Sequence, residues 1–410
     1  MEFLIGVYLF YSFFSLYFLF LFALLYLKNC TKMYSYEKYS RLYSLSIVVP
    51  CYNGAESIGR TIQKLVESDY PGLKKIVVVD DCSKDNSYEI MKEYAKKYPQ
   101  VIAVQTPKNT GCAAGAKNYG TKFVDTELVG FTDDDTFIRS DAISHMVGVF
   151  NDEKAGAVTS RVLVKRTGTW LETFQSIEYK IIAFTRKLFG FVGAIYVTNG
   201  PLSIYRKKAY DQAGGFDEKN MTEDIEITWH FVSQGWDVHM CMPAVVYTVA
   251  PNNIKEWFKQ RLRWNIGGVQ TIKKYYWAIF GGAGMLGYFI LPYFVSAWLL
   301  GITGLGFLVY RGIRRIIFEL FFYNYSTQAE VARFVLSDLN LNPTVLMFFG
   351  VVILMLSFAY TFTGLLHSRE KDFKTYNVFA IVGYMFFYLL SYPPLLIYSI
   401  YKFFTGKFSW

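Results

Sequence analysis

Four short runs of this 410-residue chain carry residues whose types and spacing could do chemistry. Asp133-Asp134-Asp135 follows the apolar, strand-like run 128–132, so three carboxylates meet at one strand's end. Positions i and i+2 can converge on a hard cation and leave sites for diphosphate oxygens and water, as Mg2+ or Mn2+ prefers. A cation held there would neutralise a departing nucleoside diphosphate, although acidic turns also follow strands without any chemical task. Asp80-Asp81 ends an earlier strand-like run, as an acceptor for a base or ribose or as a turn cap before Lys84. Thr222-Glu223-Asp224 opens the helical run 225–229. Thr222 there is either an ordinary N-cap with acids in the first turn, or the start of a helix that holds a carboxylate as general base towards a hydroxyl. In Gln260-Arg261-Leu262-Arg263-Trp264 the residues at i, i+3 and i+4 share one helical face. That face presents an amide, a guanidinium fork suited to two diphosphate oxygens, and an indole plate suited to the C–H face of a pyranose. A helix anchored at a membrane interface by Trp and Arg would look the same.

The elements that must position these groups follow from hydrophobic periodicity. Residues 45–49, 75–80, 101–105 and 128–132 are short β-rich apolar runs separated by polar helical patterns. That is the pattern of an α/β domain over 45–250 with a parallel sheet and crossover helices. Such sheets bind ligands at the carboxyl ends of their strands. Pro50-Cys51-Tyr52-Asn53-Gly54, Asp80-Asp81, Asn109-Thr110-Gly111 and Asp133-Asp134-Asp135 all fall at such ends. No G-x-G-x-x-G follows the first strand, which argues against a nicotinamide enzyme. Residues 170–189 carry Leu171, Phe174, Ile177, Ile181, Phe184 and Leu188 on one side of a helical wheel and Glu172, Tyr179, Lys180, Arg186 and Lys187 on the other. The pattern predicts a helix lying in a membrane interface, with a core helix as the alternative. Residues 253–277 form a second interfacial candidate, opened by Asn253 as N-cap with Glu256 in the manner of a capping box.

The chain is 53% hydrophobic and 19% aromatic, and the excess is segregated. Residues 3–27 are one apolar run long enough to cross a bilayer, and too long for a signal peptide. Residues 283–310, 345–366 and 377–403 are three further candidate spans, the last bent by Pro393-Pro394. The formal charge of +9 gathers at span edges such as Lys28, Lys32, Lys38 and Arg41, which suits an anionic membrane surface rather than nucleic acid. The same basic stretch places the domain on the cytoplasmic side, with the N-terminus outside. Arg311, Arg314 and Arg315 then fall on the outer side, against the positive-inside tendency, unless 283–323 is a re-entrant pair. The five cysteines have no CxxC and no zinc-type spacing, as expected of reduced thiols in a cytosolic domain.

Asp81, Asp133-x-Asp135, Thr222-Glu223-Asp224 and Gln260-x-x-Arg263-Trp264 occur in an order and spacing that resembles the membrane-embedded family 2 glycosyltransferases, which include cellulose, chitin, hyaluronan and poly-N-acetylglucosamine synthases. The likeness covers about residues 45–275. It is strongest to the poly-N-acetylglucosamine branch, through Thr198-Asn199-Gly200-Pro201, Met221–Trp229 and Lys259–Trp264. The resemblance implies a GT-A fold, Rossmann-like with a mostly parallel sheet, and an inverting enzyme that uses a UDP-linked sugar with Mg2+ or Mn2+. It implies Asp224, with Glu223 beside it, as the catalytic carboxylates, and Asp133 and Asp135 as metal ligands. Pro50, Tyr52, Asn53, Asp80, Asp81, Asn109, Gly111, Asp133, Asp134, Gln260 and Arg263 would bind the nucleotide, with Tyr52 against the uracil. Trp264, Gly200 and Thr222 would meet the acceptor. Two departures stand out. Gly54 occupies a place where many relatives carry Glu, and Cys112-Ala113-Ala114 replaces a phosphate-binding Lys, the next lysine being Lys117. The implied activity is elongation and export of a β-linked polysaccharide, with a glycan or lipid acceptor, contact with membrane lipids, no nucleic acid, and a homo-oligomer left open. A single-transfer glycolipid synthase shares the Gln–Arg–Trp motif, and a non-catalytic membrane channel or scaffold is the rival from another class. An export path would run beside the last span, where Tyr384, Tyr388, Ser391, Tyr392, Tyr398 and Ser399 supply polar groups, although interfacial tyrosines are common.

Overall fold

The computed structural model describes residues 2–165, 167–328, 345–368 and 377–406. Helix α1 (Glu2–Asn29) precedes an α/β domain that runs in the order β1 (Leu45–Cys51), α2 (Ile58–Val66), β2 (Leu73–Asp80), α3 (Ser87–Lys97), β3 (Val101–Gln105), α4 (Ala113–Thr121), β4 (Leu128–Phe131), β5 (Phe137–Ile138), α5 (Ala142–Val147), β6 (Ala155–Val164), α6 (Trp170–Gly190), β7 (Ser203–Arg206), α7 (Lys207–Gln212), α8 (Glu223–Ser233) and β8 (Asp237–Thr248). After it come α9 (Ile254–Tyr275), α10 (Leu291–Gln328), α11 (Val345–Leu366) and α12 (Val378–Thr405).

The strands form one sheet in the order β3-β2-β1-β4-β7-β6-β8-β5. Strands β3, β2, β1, β4, β6 and β8 run one way, and β7 and β5 run against them. The chain winds from β1 outward to β3 and then returns to β4 on the other side of β1. This reversal opens a crevice at the carboxyl ends of β1 and β4, the usual ligand position in such sheets. Both faces are covered, so β1, β4 and β6 are buried along their whole length, and their sequences read as continuous apolar runs. Alternate residues serve different layers: Ile47, Val49, Ile76 and Val78 pack with α2, while Val48, Val77, Val79 and Phe131 pack on the opposite face. The four predicted strands are β1 to β4. Strands β6 and β8 were not individually predicted, because Gly156, Arg161, His239 and Pro243 interrupt their apolar pattern, and neither was β7, a four-residue strand with polar residues at both ends.

Helix α6 is a layer between the sheet and the long apolar helices, not a helix with one free side. It packs on β6 and β8 and also against α1, α11 and α12. Thr169 and Glu172 close a reciprocal capping box at its start. At α9 only the Asn253 half of that motif forms, with the Asn253 side chain accepting from the Glu256 N–H at 3.0 Å.

Among the described residues, four helices are long and apolar enough to cross a membrane: Ile5–Lys32, Leu286–Phe318, Phe348–Leu366 and Val378–Thr405. The second begins with a π-helical turn, Leu286–Ile290, and continues as α10 without a re-entrant break. At 1.5 Å per residue Arg311 lies about 30 Å from Leu291, roughly the thickness of a hydrocarbon layer. Arg311, Arg314 and Arg315 are exposed and fall near the carboxyl end of that 33-residue span. Helix α12 runs through Pro393-Pro394 unbroken.

Candidate active site

One cavity of about 870 Å3 opens at the carboxyl ends of β1, β2 and β4 and extends beneath α6, α8 and α9 to α10 and α12. Of the residues singled out from the sequence, Pro50, Tyr52, Asp81, Asn109, Gly111, Asp133, Asp134, Asp135, Gly200, Thr222, Glu223, Asp224, Gln260, Arg263 and Trp264 all line it. Asn53 and Asp80 are not among the residues that line it. Asn53, at φ 54°, ties two loops together by accepting from the Lys84 N–H at 2.8 Å. Asp80 is fully buried and accepts from Gln105 Nε2 at 2.7 Å and from the Ser83 N–H.

On the sheet side, the carboxylate of Asp81 is held by Thr106 Oγ1, the Thr110 N–H and Thr110 Oγ1, at 2.8, 2.9 and 2.8 Å. Asn109 Nδ2 donates to the Asp81 carbonyl at 2.9 Å, and Gly111 closes the turn at φ +78°. The exposed Tyr52 stands at the rim. Asp133, Asp134 and Asp135 sit half-buried after β4. Two glycines admit them. A Cβ on Gly54 would meet Asp134 Oδ2 at 2.1 Å, and one on Gly200 would meet Asp133 Oδ2 at 2.7 Å. Gly54 is thus explained by the carboxylate that occupies its side-chain space. Burial raises the pKa of Asp133, and burial with the neighbouring carboxylates Asp133 and Asp134 pushes Asp135 up to about 7. Among the described residues no hydrogen bond or ion pair to another side chain holds Asp135. Three acidic groups compressed in this way fit a divalent cation, which would relieve their mutual repulsion. A separate trio, Asp152, Asp237 and His239, lies within ligating distance at the amino ends of β6 and β8, away from this cavity.

Lys117 is the residue that sequence reasoning passed over. It is buried on α4, with Nζ 2.8 Å from Glu223 Oε1 and 3.8 Å from Asp133 Oδ1. Burial opposes its charge, but Glu223 and Asp133 outweigh burial and raise its pKa. Burial likewise opposes ionisation of Glu223, and Lys117 wins, so the Glu223 carboxyl lies below its ordinary range. Glu223 is therefore a committed ion-pair partner. Among the described residues Asp224 makes no ion pair, and it is pushed up to about 6, chiefly by burial and then by the Glu223 charge. It accepts from its neighbour Ile225 N–H at 2.9 Å. Thr222 stands at the N-cap of α8, yet its side chain makes no capping bond. Its hydroxyl and N–H both turn to Asn220 Oδ1, and the methylene of Gly267 packs against it.

The membrane side is built from helices. Gln260, Arg263 and Trp264 line the cavity from one face of α9. Leu262 turns away into an apolar cluster with Leu171, Trp257 and Leu395. Arg261 turns into the protein, where it is fully buried and pairs with Glu178 of α6. Its guanidinium also lies 3.9 Å from the Trp264 ring centre, so the cavity's indole is backed by a cation. Tyr388 Oη donates to Glu178 Oε2 at 2.6 Å, and Tyr392 Oη reaches Oε1 at 3.4 Å. Two tyrosines expected along the last span thus anchor it to α6, and Tyr392 also reaches the cavity wall.

A cavity at the carboxyl ends of a mixed α/β sheet, with carboxylates at the strand ends and a Gln–Arg–Trp face opposite, defines a glycosyltransferase-type site. The family profile "Glycosyltransferase like family 2" matches residues 43–267, more than half of the chain, and the protein belongs to that family. It is 30% identical over 244 residues to the poly-beta-1,6-N-acetyl-D-glucosamine synthase of Staphylococcus epidermidis, covering 59% of this chain and 58% of that protein. It is 29% identical over 233 residues to the synthase of the same name from Staphylococcus aureus strain COL, covering 56% of each. The chain thus spans little more than half the length of the curated relatives it matches. Among solved structures, the mannosyltransferase PcManGT from Pyrobaculum calidifontis, in complex with GDP-Man and Mn2+, aligns with a TM-score of 0.53 at 18% identity, over 87% of this chain and 97% of that one. The likeness establishes a shared GT-A-like fold.

Proposed function

We propose that this cavity transfers a sugar, with inversion, from a UDP-linked donor to an acceptor hydroxyl, and that repeated transfer elongates a β-linked glycan. One observation carries the reading: Asp224, a carboxylate at the start of α8 with no cation partner among the described residues, shares a cavity with Asp133, Asp135, Arg263 and Trp264. Asp81 and Asn109 receive the base and ribose, with Tyr52 against the base. Arg263 meets the diphosphate with a bidentate fork, and Trp264 presents its face to the acceptor sugar. Asp224 takes the proton of the attacking hydroxyl, while Lys117 keeps Glu223 ionised beside it and so holds the Asp224 pKa up, near the operating pH. Asp133 and Asp135 are the residues that would hold Mg2+ or Mn2+, which when bound neutralises charge on the leaving diphosphate. The names of the staphylococcal relatives support the glycan reading, and the basic residues after α1 support a cytoplasmic face for the domain.

A single-transfer glycolipid synthase is the second reading, favoured by the apolar wall that the cavity presents beside α10. The test is to incubate the full chain in nanodiscs with Mg2+ or Mn2+ and a panel of UDP-sugars, and to size the products. A ladder of oligosaccharides is expected. One lipid product after one transfer would select the second reading, and no consumption of any nucleotide sugar would overturn both.

A further inference from the structure

Arg186 of α6 lines the cavity yet has no counter-charge. It is 7% exposed. Its Nη1 donates to the neutral side chain of Asn199, and its Nε is buried without a partner. Among the described residues no carboxylate pairs with it. Two other buried cations beside this cavity are matched: Lys117 by Glu223 and Arg261 by Glu178. A buried guanidinium left unmatched is unfavourable unless something else supplies the charge.

Its surroundings indicate what that ligand looks like. The guanidinium lies 5.8 Å from the Tyr196 ring centre, and Tyr196 packs edge-on against Phe294 of α10 at 4.9 Å between centroids. From there the cavity wall is apolar: Ile182, Ile225, Ile272, Phe294 and Trp298 line it. Phe294 and Trp298 belong to a helix long and apolar enough to cross a membrane. A cation at one end of an apolar channel walled by a membrane helix fits an anionic head group with a hydrocarbon tail, not a neutral free oligosaccharide.

We propose that Arg186 binds the phosphate of an amphiphilic acceptor whose hydrocarbon chain lies along Ile182, Ile225, Ile272, Phe294 and Trp298 and reaches the bilayer beside α10. The proposal rests on the glycosyl-transfer reading of the same cavity and names its acceptor class, a lipid phosphate. Arg186 sits two helical turns from Tyr179, about 10 Å along α6, and Tyr179 lies 6.5 Å from Trp264 between ring centres. The head group would therefore be held at a distance of one or two sugar rings from the indole.

Binding to the full chain in nanodiscs of zwitterionic lipid tests this, with three probes: a long-chain alkyl phosphate, the matching alkyl alcohol, and inorganic phosphate. The alkyl phosphate is expected to bind at least tenfold tighter than either of the others. Arg186→Gln should weaken it about ten- to a hundredfold, the worth of a charge-assisted hydrogen bond. Arg186→Lys should retain most of the affinity. Asn199→Asp separates the proposal from a purely bracing role, since it strengthens the brace but supplies the missing counter-charge; it should lose the alkyl phosphate as Arg186→Gln does. Equal binding of phosphate and alcohol, inorganic phosphate binding as tightly as the lipid, or an Asn199→Asp variant that binds like the wild type would each overturn the proposal. UDP titrated into the same samples keeps the two readings apart. Loss of the lipid with UDP still bound defeats only this inference, whereas absence of UDP binding in the wild type defeats the glycosyl-transfer reading itself.

Discussion

The two walls of the cavity are built on opposite plans. On the sheet side, polar groups hold one another within a few ångströms and largely in view of the cavity: Asp81 with Thr106 and Thr110, Lys117 with Glu223. On the helix side the groups that face the cavity, Gln260, Arg263 and Trp264, are held from behind by a buried network of Arg261, Glu178, Tyr388 and Tyr392. The first plan fixes charge where a diphosphate would sit. The second ties α9 to α6 and the last span, with Arg261 standing between Glu178 and the Trp264 ring.

Breaking the sheet wall at the proposed base should have the largest effect. Asp224→Asn keeps the shape and loses the proton-accepting oxygen, so turnover should fall by about 10²- to 10⁴-fold, with UDP affinity by calorimetry within a few-fold of wild type. Near-normal turnover would remove Asp224 from its role. The matching break on the helix wall is Glu178→Gln, which leaves the Arg261 cation buried and unpaired. About 3–5 kcal/mol of stability should be lost, read as a lower denaturation midpoint, and replacing both partners with Met should restore much of it. If the single variant unfolds like the wild type, the network does not hold α9.

Asp135→Ala should reduce UDP affinity by about tenfold or more in Mn2+ and by little in chelator, because a hard cation loses a charged oxygen. A variant that binds UDP in Mn2+ as tightly as the wild type would move the cation elsewhere. The pH dependence sharpens the comparison further. The base must be ionised to accept a proton, and burial with Glu223 holds Asp224 up near 6. Activity should therefore be on its plateau above pH 7 and fall about tenfold by pH 5. Glu223→Gln removes the repelling charge, so the inflection should shift to lower pH. An inflection that stays put in that variant would show that another group sets it. Tyr388→Phe is the mildest test: it removes one hydrogen bond to Glu178 and should cost about 1–2 kcal/mol, without the loss of folding that Glu178→Gln invites.

How much of this was legible in the sequence differs between the walls. The strand-end carboxylates, the Asn109–Gly111 turn and the i, i+3, i+4 face of α9 are local patterns, and periodicity with turn chemistry brings each to its place. The four apolar helices were equally legible, since length and apolarity alone decide whether a segment can cross a bilayer. Asn53 and Asp80 were open in the sequence, because a polar residue beside a motif can face the ligand or the loop, and only the packed loop shows the Lys84 N–H and Gln105 Nε2 donating to them.

The residues that only the tertiary structure could assign are those whose partners are far away in the chain. Lys117 meets Glu223 across 106 positions, Arg261 meets Glu178 across 83, and Tyr388 meets Glu178 across 210. Nothing in local periodicity distinguishes a lysine that will be buried against a carboxylate from one on a solvated helix face. Arg186 is the same case with the opposite outcome. By itself the sequence determined the strand ends, the helix faces and the membrane-length segments, because those depend on neighbours within a few residues. Which charges are matched and which is left facing an apolar channel was decided by the packing of α6 between the sheet and the long helices, a burial that no local pattern encodes.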